Sequence, residues 1–161
     1  MAPRNNLAMS PVQEPEDRTL VITRVFNAPR ALVFKAWTDP AAVVKWMGPR
    51  SHPAVHAEQD LRPGGAWRIC LRPNDGGRDL WQGGIFHEIV PPERLIFSFA
   101  WDQEDGSKGL ETLISIALAE HDGKTTMTFR QSVFDTMSRR DSHRGGWSSC
   151  FDRLEEALAT A

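Results

Sequence analysis

His143 and Trp147 stand four residues apart near the C-terminus, a spacing that in a helix sets both side chains on one face. An imidazole beside an aromatic wall is a titratable group whose ordinary pKa lies near neutrality, suited to pH response or proton transfer. Between the two, Gly145-Gly146 costs a helix on the order of 2 kcal/mol relative to alanine. Close approach of the backbone to a sheet, or a kink that opens a cavity, would offset that cost; otherwise the pair is simply tolerated. His52 and His56 have the look of an H-x-x-x-H metal pair, but the surrounding pattern predicts a strand, where they would be roughly 13 Å apart. No metal site and no cofactor are expected.

Cys70 and Cys150 match neither a zinc spacing nor a C-x-x-C redox motif, so both are read as free thiols. The alternation puts Cys70 on an outward face with Arg68 and Arg72, and the helical spacing puts Cys150 inward. Asp60 and Arg62 flank Pro63-Gly64-Gly65 and are read as holding that turn through local hydrogen bonds, a catalytic role being the alternative. Arg139, Arg140 and Arg144 gather at the start of the last helix, either as a solvated face or as a contact for an acidic partner or ligand head. The chain carries no G-x-S-x-G elbow, phosphate loop or H-E-x-x-H, and no catalytic residue is assigned.

The elements that would position these groups follow from periodicity and punctuation. Residues 1–17 contain scattered prolines and polar residues without a period and are expected to form a disordered tail ahead of one domain over 18–161. Leu20, Val21, Ile22, Val25 and Phe26 make a first strand, stopped by Asn27-Ala28-Pro29. Two short helices follow, one carrying Leu32, Val33, Ala36 and Trp37, the next restarted by Asp39-Pro40 and ended by Gly48-Pro49. Breaks at Pro63-Gly64-Gly65, Asn74-Asp75-Gly76-Gly77, Pro91-Pro92, Asp105-Gly106 and Asp122-Gly123 leave room for six further strands between about 54 and 131. Gly83-Gly84 either lets a ligand approach the strand backbone or forms a bulge that bends the sheet. From an N-cap at Asp135, the face Trp147, Cys150, Phe151, Leu154, Ala157 and Leu158 describes an amphipathic helix over 136–159, roughly 36 Å long.

The 161 residues suit one domain. A net charge of −2 provides no general attraction to nucleic acid, and no apolar run is long enough to span a bilayer. A cytoplasmic protein without membrane insertion is the expectation. Six tryptophans and eight phenylalanines with no tyrosine make an aromatic complement that is almost purely apolar.

The order β-α-α-β6-α resembles the START-like superfamily, in particular the branch homologous to the C-terminal domain of the heat-shock-protein-90 ATPase activator. The segments that carry the likeness are Phe26-Asn27-Ala28-Pro29, Lys45-Trp46-Met47-Gly48-Pro49 and Asp60-Leu61-Arg62-Pro63-Gly64-Gly65-Ala66-Trp67. They continue with Gly84-Ile85-Phe86-His87-Glu88-Ile89, Pro92-Glu93-Arg94-Leu95, and His143-Arg144-Gly145-Gly146-Trp147 leading to Phe151-Asp152-Arg153-Leu154. The resemblance implies an α+β helix-grip fold: a curved antiparallel sheet of about seven strands wrapped around the long C-terminal helix, with an internal apolar cavity.

The expected inward set begins with Trp37 and Trp46 on the short helices, Trp67 and Ile69 on one strand and Trp81 on the next. It continues with Phe97, Phe99 and Trp101, then Met127 and Phe129, and ends on the last helix with His143, Trp147 and Phe151. The leading function is binding of a small apolar or amphipathic molecule of the lipid, isoprenoid or aromatic polyketide class. One alternative, carried by the resemblance, is a chaperone-associated module, although the short tail cannot replace the activator's own N-terminal domain. Another is an enzyme acting on a hydrophobic ring with His143 moving a proton. Contact with a chaperone or with a second copy of the chain is left open.

Overall fold

The computed structural model describes residues 14–161. Most of the expected tail lies outside the described residues, and its last positions join a single helical turn, Pro15–Arg18. That turn is tied to the domain because Arg18 and Phe134 exchange hydrogen bonds, the guanidinium donating to the Phe134 carbonyl at 2.8 Å and the Phe134 amide to the Arg18 carbonyl at 3.0 Å.

Strand β1 (Leu20–Phe26) is followed by helices α1 (Arg30–Thr38) and α2 (Pro40–Trp46). The meander consists of β2 (Ala54–Gln59), β3 (Ala66–Leu71), β4 (Leu80–Val90), β5 (Arg94–Trp101), β6 (Thr112–His121) and β7 (Lys124–Ser132). Helix α3 (Met137–Ala159) ends the chain. The seven strands form one sheet in the order β1-β7-β6-β5-β4-β3-β2, every neighbour antiparallel. Only β1 departs from the meander: the two short helices carry the chain from one edge of the sheet to the other. This is the α+β helix-grip fold.

Local chemistry accounts for the breaks. Asp39 ends α1 and caps α2, its carboxylate accepting from the Ala41 amide at 3.1 Å, and Pro40 supplies the fixed φ of a first helical residue. Gly48 has φ +87°, and a Cβ there would lie 2.3 Å from the His52 carbonyl oxygen, so only glycine makes this turn into β2. Helix α3 is capped by Thr136, whose hydroxyl accepts from the Arg139 amide at 3.0 Å. The expected cap, Asp135, instead faces the Arg139 side chain at 3.8 Å. Adjacent residues were both competent to cap, and the start of the helix one residue later selects the threonine.

The expected bulge is also displaced. The register between β4 and β5 slips between Phe86 and Glu88, not at Gly83-Gly84. The glycines serve close approach: a Cβ on Gly84 would sit 1.9 Å from the Ser98 carbonyl oxygen and one on Gly83 2.7 Å from that of Trp67. The Ile85 amide turns to the Ser98 hydroxyl at 2.9 Å.

The core lies between the inner sheet face and the three helices. Helix α3 buries Trp147, Cys150, Phe151, Leu154 and Leu158, at the predicted steps of three and four. Trp37 meets Trp46 edge-on at 4.7 Å, and Trp147 lies 4.8 Å from Phe129. Rings packed at these distances each contribute about 1.5–3 kcal/mol by burial.

Candidate functional site

The inner face divides into a filled end and an open end. Trp46, Met127, Phe129 and Phe151, all expected to border a cavity, are completely buried and pack as core. At the other end the space does not close, and a cavity of about 200 Å³ remains. Met47, Gly48 and Pro49 from the loop after α2 form one wall, with Leu71 of β3 and Gln82 of β4 beside them. Phe99 and Trp101 of β5 form the floor, and Ser142, His143, Gly146, Trp147 and Cys150 of α3 form the roof. A second space of about 20 Å³ adjoins it, sharing Met47, Gln82 and Trp147 and bordered by the expected Trp37, Trp67, Ile69 and Phe97.

Trp81 does not belong to this set. It lies on the outer face opposite Cys70 in register, with the Arg68 guanidinium 4.3 Å over its ring and His56 at 5.9 Å. Counting inward positions back from buried Phe86 gives Gly84 and Gln82, not Trp81. Hydropathy favoured the tryptophan, whereas strand phase selects the glutamine. Gln82 is therefore the important inward residue that sequence reasoning missed, and the alternation from Phe86 was the signal available for finding it.

Gln82 is only 3% exposed and borders both spaces, and its amide makes no hydrogen bond to the described residues. Two further polar atoms bordering the smaller space lack partners among the described residues, the Trp37 indole nitrogen and the Gln59 carbonyl oxygen. The Gln59 amide nitrogen, by contrast, donates to the Trp37 carbonyl at 2.8 Å. Buried polar groups are paired in the great majority of cases, so three unpaired groups around two adjoining spaces set this end apart.

His143 is half-buried among rings, 4.8 Å from Phe134, 5.8 Å from Phe99 and 6.4 Å from Trp101. Burial, and secondarily the positive charge of Arg139, push its pKa down to about 4. It is therefore neutral at pH 7, contrary to the expectation of a group responsive near neutrality. Burial likewise pushes the Cys150 thiol up to about 12, which leaves it a protonated, unreactive wall of the cavity. Cys70 lies on the outer face, as expected, but is buried there, and that burial raises its thiol too, with Asp79 adding to the shift. Both cysteines are free.

Neither explanation offered for Gly145-Gly146 holds in its first form. A Cβ at either position would meet nothing within 4 Å, and α3 runs as one helix from Met137 to Ala159. Gly146 borders the cavity, so its missing side chain leaves space there. The remaining candidates lie elsewhere. Arg62 donates to Asp60 at 2.8 Å within an exposed turn, as expected. His52 precedes β2 and meets Ser51 at 2.6 Å, while His56 meets Glu58 at 2.7 Å. The three arginines are each engaged: Arg139 faces Asp135, Arg140 pairs with Asp141 and bonds the Asp17 carbonyl, and Arg144 donates to the Val21 carbonyl at 3.2 Å.

Residues 27–159 match the family model described as activator of Hsp90 ATPase homolog 1-like protein. A crystal structure from Mycobacterium smegmatis superposes with a TM-score of 0.77 at 25% identity, covering 92% of this chain and 96% of that one. The AHSA1 protein from Silicibacter pomeroyi gives 0.77 at 22% identity over 88% and 98% of the two chains. DynU16, a protein of the dynemicin biosynthetic locus, gives 0.72 at 23% identity, covering 89% of this chain and 48% of its own. No curated protein shows significant similarity. Among the described residues, no helix is long and apolar enough to cross a membrane.

Proposed function

The chain belongs to the activator of Hsp90 ATPase homolog 1-like family, and from that premise we propose that it binds a small apolar molecule in the cavity between β3–β5 and α3. The cavity itself carries the reading: about 200 Å³ bounded mainly by Met47, Leu71, Phe99, Trp101 and Trp147. Apolar concavities with a few placed polar groups are the usual form of a small-molecule site. A cavity of roughly 150 Å³ accommodates benzene, so this one suits a single substituted ring. The neutral state of His143 and the protonated Cys150 favour binding over proton transfer or nucleophilic attack, since neither supplies a strong base or thiolate at pH 7.

Isothermal titration of the full chain with toluene tests this. Saturable binding with a Kd at or below about 1 mM is expected, together with its loss in Gly146→Leu, whose side chain enters the cavity. Absence of saturable binding, or unchanged affinity in that variant while it remains folded, overturns the reading.

A further inference from the structure

We infer that the cavity selects an uncharged single-ring compound bearing a hydroxyl group, and that the Gln82 amide is the residue that recognises the hydroxyl; this rests on the cavity being a ligand site. Gln82 is nineteen-twentieths buried or more, borders both adjoining spaces, and has no partner among the described residues. A primary amide offers a carbonyl acceptor and two N–H donors. A hydroxyl is both donor and acceptor and can satisfy both ends at once. In the adjoining space, the unpaired Trp37 indole N–H and Gln59 carbonyl oxygen repeat that pairing of one donor with one acceptor.

The charge requirement follows from what surrounds the space. None of its bordering side chains is ionised at pH 7: Gln82 and Ser142 are intrinsically neutral, and the imidazole of His143 is unprotonated. Two cations of α3 lie near it: Arg153 is committed to backbone carbonyls, donating to Met47 at 2.9 Å, Gly48 at 2.8 Å and Lys45 at 3.0 Å, and Arg139 faces the Asp135 carboxylate at 3.8 Å. A carboxylate or ammonium group would lose its hydration without gaining a counter-charge. A phenolic hydroxyl, with an ordinary pKa near 10, enters neutral. An apolar cavity lacking a polar partner would favour toluene over its hydroxylated analogue, because the hydroxyl must leave water. The expected preference therefore runs opposite to that of a simple greasy space.

Titration of the full chain at pH 7 with toluene, p-cresol and 4-methylbenzoate decides the matter. In the unaltered protein, p-cresol binds at least about tenfold more tightly than toluene, the scale of one hydrogen bond, and 4-methylbenzoate at least about tenfold more weakly than p-cresol. Gln82→Leu weakens p-cresol and brings it to within about twofold of toluene; Gln82→Met, also unbranched at Cβ, serves as the second variant, and thermal unfolding verifies that each is folded. Equal binding of toluene and p-cresol, a preference that survives both variants, or tight binding of the carboxylate overturns the inference while leaving the cavity reading intact. Failure of both toluene and p-cresol to bind overturns both.

Discussion

Gln131 and Gln82 occupy the inner face of the same sheet, at 0% and 3% exposure, yet their surroundings treat them in opposite ways. Gln131 donates to the Thr112 hydroxyl at 2.9 Å and accepts from the Trp147 indole at 2.8 Å, and Thr112 donates onward to the Phe99 carbonyl at 3.4 Å. That network fixes the orientation of Trp147, whose ring packs on Phe129 and also borders the cavity. Gln82 has no such network and faces open space. One buried amide is structural because every polar atom near it is satisfied, and the other is available because its neighbours are rings and aliphatic chains. Burial alone does not distinguish the two roles; hydrogen-bond pairing does.

The contrast predicts different costs for changes at the two ends. Phe151→Ala, in the filled end, is expected to cost about 3–5 kcal/mol in chemical denaturation. A cost below about 1 kcal/mol would mean that this end is not close-packed. Gln131→Leu should cost about 2–3 kcal/mol by orphaning the Trp147 indole and Thr112, whereas Gln82→Leu should change stability by less than about 1 kcal/mol because no protein partner is lost. Equal costs for the two would remove the distinction.

A smaller effect sharpens the comparison through pH. The folded-state pKa of His143, about 4, lies below its ordinary value of 6.5, so the unfolded chain takes up this proton first as pH falls. The contribution is fully present above about pH 6.5, declines as pH drops toward about 4, and changes no further below that. Allowing for partial exposure, the loss is about 1–2 kcal/mol. Denaturation across pH 7 to 4 should show that much less decline in His143→Phe than in the unaltered chain. Identical pH profiles would show that His143 is not desolvated.

Much of the architecture was legible because it is written in local periodicity. The three- and four-residue steps from Trp147 to Leu158 place one helix face, and the turns bounded by glycine and proline separate the strands. Errors arose where a decision depended on phase or on distant neighbours. Trp81 and Gln82 compete for the inward position, and hydropathy points to the tryptophan where the strand phase counted back from Phe86 gives the glutamine. The depressed pKa of His143 comes mainly from burial among Phe99, Trp101 and Phe134, two of them on a strand some forty residues away, and only the lesser contribution of Arg139 is local in sequence. The unpaired state of Gln82 is likewise a property of its surroundings rather than of its residue type.

The most direct test follows the side-chain amide resonances of Gln82 and Gln131 by NMR during titration with p-cresol. Saturable movement of the Gln82 amide while the Gln131 amide stays fixed is the predicted result. A stationary Gln82 amide with p-cresol bound, or equal movement of both, would contradict the division of the inner face into a filled end and a recognition end.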